Sequence, residues 1–106
     1  MKNALKLFVA LLMFAFVFST WSLADSGADT FKAKCAMCHG PDGKAQTAMG
    51  KNMNIRDLGS AEVQGQSDAD LNGIITNGKG KMPKYDGKLT KDQITDLVKY
   101  IRTLKH

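Results

Sequence analysis

Apolar and polar positions follow one another along this chain in three different ways. Near the start, Leu7 to Phe18 are apolar without interruption. Between Asp68 and Thr76, Leu71, Ile74 and Ile75 fall on one side of a helix. Ser67 stands in front as a cap, acidic residues fill the first turn, and Asn77-Gly78 ends the pattern. After Thr90, Ile94, Leu97, Val98, Ile101 and Leu104 recur at helical spacing as far as the basic C-terminus, behind a capping box of Thr90 and Gln93. Another helix is predicted from about Ala28 to Cys38, started by Asp25 or Ser26 and stopped by Gly40-Pro41. The intervening stretch from Asp42 to Gly65, rich in Gly, Asn and Ser, reads as loop with one short helical turn around Ala61. No strand-period alternation persists over a useful length, and no repeat or second domain is visible. The pattern predicts an all-α chain of three to four short helices whose long loops surround something.

The N-terminal apolar run is not part of that domain. Lys2 and Lys6 precede it, and Ser22-Leu23-Ala24 follow with small residues where a signal peptidase reads. Its twelve residues fall short of the ~20 a membrane-spanning helix needs. Residues 1–24 are therefore expected to be a secretory signal cleaved before Asp25. The domain would be 25–106 and its destination the periplasm, or the thylakoid lumen of a photosynthetic cell. The other reading is a retained membrane anchor, since Trp21 and Leu23 extend the apolar character.

Charge narrows the partners. Lys2 and Lys6 account for two of the 15 basic residues, so 25–106 carries 13 against 10 acidic ones, a net +3. Such a balance, without aromatic residues interleaved in a basic stripe, does not describe a nucleic-acid protein. A domain this short builds a modest core and needs a staple or a cofactor. Its only two cysteines, Cys35 and Cys38, would close a tiny disulfide loop of little stabilising value. Something else must complete the core.

Cys35-Ala36-Met37-Cys38-His39 is the C-x-x-C-H signature of covalent haem c attachment. On a helical turn, positions i, i+3 and i+4 face one way. Both thiols can add across the two haem vinyl groups while His39 meets the iron from the same side. A thioredoxin-like redox pair would want a βαβ context, and zinc would want four ligands where His106 is the only further His or Cys.

The sixth iron position separates electron transfer from ligand chemistry. Met37 lies between the cysteines on the histidine side. Met49 and Met53 read as core fillers, although spacing alone leaves either open as the ligand. Met82 lies 43 residues after His39, in Gly78-Lys79-Gly80-Lys81-Met82-Pro83. Its glycines permit close backbone approach and Pro83 holds Met82 extended. Met82 is the expected distal ligand.

Gly27-Ala28-x-x-Phe31, the CAMCH motif, the GKGKMP loop and a terminal helix bearing Tyr100 together resemble a class I cytochrome c. The likeness is to small bacterial monohaem proteins of the cytochrome c6 and c551 kind, and it spans Asp25 to His106. It implies the class I fold, with the first and last helices crossing near Gly27 and with Phe31 and Tyr100 packed as core at the contact. It also implies a protein that is not an enzyme. Two departures stand out. Many relatives bond the histidine's free N–H to a proline carbonyl, yet no proline lies between Pro41 and Pro83, so another carbonyl must orient His39 or the arrangement is altered. Residues 25–106 also lack a tryptophan to bond a propionate. Arg56 is the candidate replacement, its alternative being a solvated loop arginine paired with Asp57.

An iron closed by His39 and Met82 leaves no open substrate position, which points to single-electron shuttling between redox partners. Lys79, Lys81, Lys84 and Lys88 surround the Met82 loop as either a solvated face or a steering surface for an acidic partner. The expected form is a monomer without stable membrane insertion after signal removal. Two other functions stay open at this point: a haem enzyme or gas sensor with open iron, and the haem subunit of a larger oxidoreductase.

Overall fold

The computed structural model describes residues 23–106. The expected secretory signal, 1–24, lies outside the described residues except for Leu23 and Ala24, which open the first helix. In chain order the helices are α1 (Leu23–Lys34), α2 (Ala36–His39), α3 (Ala48–Asn52), α4 (Ala61–Gln64), α5 (Asp68–Asn77) and α6 (Lys91–Thr103). No strand occurs among the described residues; two isolated bridges, Lys79 with Met82 and Asp86 with Leu89, mark turns. None of the described helices is long and apolar enough to cross a membrane.

Capping chemistry sets most of these boundaries. At α5 the Ser67 hydroxyl accepts the Asp70 N–H at 3.0 Å while Asp70 accepts the Ser67 N–H. At α6 Thr90 and Gln93 make the reciprocal pair, at 3.1 and 2.8 Å. The short turn expected near Ala61 is α4, capped by Ser60.

Two features differ from the sequence reading. The expected helix from Ala28 to Cys38 begins earlier, at Leu23, and turns at Cys35. The Cys35 N–H nevertheless still reaches the Phe31 carbonyl at 2.8 Å, so hydrogen bonding runs through into α2. Helix α3 falls inside the expected loop. Thr47 caps it by accepting the Gly50 N–H at 2.9 Å, and five residues are too few for an apolar period to register.

The core joins Phe31 of α1 and Val63 of α4 with Leu71 and Ile75 of α5, then Leu89, and Ile94, Leu97, Val98 and Ile101 of α6. Each large side chain so buried contributes about 1.5–3 kcal/mol. Helices α1 and α6 cross where α1 carries Gly27. A Cβ there would press into the Asp96 carbonyl and lie 3.0 Å from Tyr100 Cβ, so only glycine permits this approach. One turn on, the Phe31 and Tyr100 rings stack tilted at 51° with centroids 5.1 Å apart. Phe31 is buried in the core and Tyr100 packs half-buried against it, the contact the resemblance implied.

Arg102 ties the other side of α6 to the chain between α4 and α5. Its Nη1 donates to the Gln64 carbonyl at 2.9 Å, Nη2 to the Gln66 carbonyl at 2.6 Å, and Nε to Asp68 Oδ1 at 2.9 Å. Gln64 Nε2 in turn donates to the carbonyls of Leu58 and Ile101. The α4–α5 segment is thereby held against α6, leaving a hollow between these helices, α2 and the loop after α5.

Candidate functional site

That hollow is a cavity of about 480 Å³, within the range of cofactor sites. Cys35, Cys38 and His39 line it together with Met53, Met82 and Arg56. The backbone explains how the first three come together. Cys38 and His39 N–H groups both bond the Cys35 carbonyl, at 3.2 and 3.0 Å, winding the motif into one helical turn. The Ala45 N–H on the His39 carbonyl at 2.7 Å and the Thr47 hydroxyl on the Cys38 carbonyl at 3.1 Å fasten that turn to the following loop. Phe31 packs beside the imidazole, ring centroids 6.4 Å apart.

Electrostatics follow from burial. The Cys35 thiol is pushed up to about 11 by burial and then by neighbouring Cys38. Burial lowers the His39 pKa, favouring the neutral imidazole that serves as a metal ligand. His39 Nδ1 is buried without a hydrogen-bond partner. A buried polar atom left unpaired costs free energy.

The four candidate methionines divide cleanly. Met37 is 75% exposed and Met49 44% exposed, and neither lines the cavity. Met53 and Met82 both do. Met82 sits in a tight turn, its N–H on the Lys79 carbonyl at 3.0 Å and its carbonyl accepting the Lys79 N–H at 3.2 Å. Gly78, at φ +76, packs against the Met82 carbonyl where a Cβ would come within 2.7 Å. Met53 instead closes α3, with its N–H satisfied inside that helix.

Residues 22–101 match the family described as cytochrome c oxidase, cbb3-type, subunit III. Cytochrome c6 of Nostoc sp. is 39% identical over 93 residues, covering 84% of this chain and 80% of its own length. The chain is a class I c-type cytochrome. The FixP subunit of the cbb3-type oxidase of Azorhizobium caulinodans is 37% identical over 82 residues, but the match takes in only 27% of that protein. Among solved structures, the KustC0563 c-type cytochrome superposes with a TM-score of 0.71 at 30% identity, covering 76% of this chain and 98% of that one. All-α architecture and class I membership are thus as the sequence indicated.

Membership in this family implies haem c, and the residues present fit it. The cavity wall is dominated by Leu58, Val63, Leu71, Ile75, Leu97 and Ile101, two thiols and an imidazole stand on one helical turn, and thioether sulfur is available from two further positions. Zinc lacks comparable support: among the described residues no three His, Cys, Asp or Glu side chains group to hold a metal, and His106 Nε2 is engaged by Asp57 at 2.7 Å.

Arg56 lines the cavity, yet it pairs with Glu62 at 2.9 Å and not with Asp57. Lys79 and Lys81 line the cavity, while Lys84 and Lys88 are exposed nearby in sequence. The sequence reading missed four polar cavity residues, one of them Asn54 just after α3. Lys34 and Tyr85 flank Cys35 and Met82 and could have been suspected from position; Gln66, between α4 and α5, gave no signal.

Proposed function

We propose that this cytochrome is an exported single-electron carrier whose haem is held by thioethers at Cys35 and Cys38 and ligated by His39 and Met82. The observation that carries the reading is the shared cavity: the attachment turn and the glycine-flanked Met82 line one apolar hollow. Bound haem iron supplies the redox chemistry, accepting and releasing one electron between its ferric and ferrous states. The chain's residues do the rest. Covalent attachment at two cysteines prevents loss of the group in a dilute compartment. The soft Met82 thioether favours the ferrous state and raises the reduction potential. The apolar wall excludes water and keeps reorganisation small. Arg56 is suited to a propionate, in exchange for or alongside Glu62. With His39 and Met82 both holding the iron, no protein-free position would be left for a substrate, which argues against an enzyme or gas sensor. A free carrier is supported over an oxidase subunit by the likeness to cytochrome c6 over most of that protein's length.

Met53 also reaches the cavity, so the test compares the two methionines. Met82→Ala should keep its haem through acid–acetone extraction, lose the weak ferric Met charge-transfer band, bind carbon monoxide when reduced and show a lower potential. Met53→Ala should do none of these. The opposite outcome transfers the ligand role to Met53 while leaving the carrier reading intact. Haem leaving with the organic phase sinks covalent attachment. Export is tested separately, by a mass that begins at Asp25 with one haem added.

A further inference from the structure

The segment that carries Met82 is anchored unequally. On the α5 side it is well tied: the Gly78 N–H bonds the Ile74 carbonyl at 2.8 Å, and the Tyr85 and Asp86 N–H groups bond the Ile75 and Thr76 carbonyls at 3.1 Å. Towards the attachment turn, one hydrogen bond reaches across among the described residues. The Tyr85 hydroxyl donates to the Lys34 carbonyl at 3.1 Å, linking positions 51 residues apart. Both residues line the cavity, and Lys34 directly precedes Cys35. The Tyr85 ring packs against the core, and Lys88 Nζ lies 5.9 Å from its centroid. The Tyr85 carbonyl accepts from both Lys88 and Leu89 at 3.0 Å, fixing the backbone from which the ring projects.

We propose that Tyr85 is a positioning residue for Met82: its hydroxyl, bonded to the Lys34 carbonyl beside Cys35, straps the Met82 loop to the attachment turn and sets how readily an outside ligand replaces Met82. The inference rests on Met82 being the distal ligand. An entering ligand needs the loop open, and its apparent affinity scales with the fraction of molecules in which the loop has opened. One hydrogen bond separates the strapped loop from an unstrapped one, so its removal enlarges that fraction about two- to tenfold.

The test titrates ferric protein with imidazole at fixed neutral pH, following loss of the Met charge-transfer band. Tyr85→Phe keeps the ring and removes the hydroxyl; its imidazole Kd should fall about two- to tenfold. Ser67→Ala, which removes the cap at the end of α5 opposite the loop, should lower the unfolding midpoint and leave the Kd at the wild-type value. An unchanged Kd in Tyr85→Phe overturns the strap while Met82 ligation stands. Equal falls in both variants also overturn it, because general destabilisation would then be the cause. A ferric wild type without the Met band overturns the ligand assignment and the strap together.

Discussion

Gly27→Ala adds one methyl group at the crossing of α1 and α6, and the structure fixes what that methyl meets. It would lie 3.0 Å from Tyr100 Cβ and closer still to the Asp96 carbonyl oxygen. Carbon atoms in good contact sit about 3.5–4.0 Å apart, and the Asp96 carbonyl is backbone that cannot rotate aside. The helices must therefore separate, loosening the Phe31–Tyr100 contact and shifting α1, which leads straight into Cys35. Overpacking of this kind costs about 1–3 kcal/mol, while alanine returns up to about 1 kcal/mol of helix propensity. The net loss should be about 1–2 kcal/mol, a large share of the 5–15 kcal/mol typical of a domain. Gly73→Ala is the control. It also lies inside a helix, but a Cβ there meets nothing within 4 Å, so the same substitution should stabilise by about 0.5–1 kcal/mol. Urea unfolding of the ferric holoprotein reads both. With a slope of about 1–3 kcal/mol/M, the midpoint should fall by roughly 0.3–2 M for Gly27→Ala and rise for Gly73→Ala. Equal shifts of one sign would show that propensity decides and that the crossing is not tight.

Arg102→Ala leaves the Gln64 and Gln66 carbonyls without their charged donor and should cost about 1.5–3 kcal/mol in thermal unfolding; the Asp68 pair, with its carboxylate 77% exposed, contributes little of this. An unchanged midpoint would release α4–α5 from dependence on that residue. Burial pushes the Asp57 carboxyl up, but the Gly59 N–H, His106 and Lys44 outweigh it and hold the folded pKa below the ordinary value. A depressed folded pKa gives stability that is full above the unfolded value, about 4, and fades as pH falls through the folded one. Asp57→Asn should flatten the decline of stability below about pH 4, and an acid limb as steep as wild type would refute that origin. If Lys34, Lys79, Lys81, Lys84 and Lys88 steer docking, electron transfer to the native partner should slow as salt shortens the screening length from about 30 Å at 0.01 M to 8 Å at 0.15 M. A flat salt profile removes them from the mechanism.

What could be read from sequence was local. Helix α6 was legible because Thr90 and Gln93 announce its start and because four apolar positions, Ile94, Leu97, Val98 and Ile101, repeat within its thirteen residues. The C-x-x-C-H turn was legible because its chemistry needs neighbours along the chain. Helix α3 was not, being shorter than two turns and capped by a threonine that a loop could equally use. Long-range pairing was the harder part. Arg56 finds Glu62 and not adjacent Asp57 because Asp57 turns to Gly59 and His106. The Tyr85–Lys34 bond and the Arg102 tie join segments that only the packed fold brings together. Met82 could be singled out by its glycines and proline, but Met53 enters the same cavity for reasons that spacing does not encode.

Core and site are largely the same residues. Val63, Leu71, Ile75, Leu97 and Ile101 are buried members of the hydrophobic cluster and also wall the cavity. A domain this small has few such side chains to spare, and those it has face inward on a hollow of about 480 Å³. A cavity of that size in a small core forfeits the contacts its lining would otherwise make. Haem in the hollow would restore them, so the attachment proposed at Cys35 and Cys38 would act on folding as well as on function. The same argument places the tightest packing away from the cavity. Gly27, Phe31 and Tyr100 form a contact that is complete without any cofactor and that holds α1 in register before the cysteines. A substitution in the cavity wall should therefore disturb folding mainly through haem, whereas Gly27→Ala should disturb it directly.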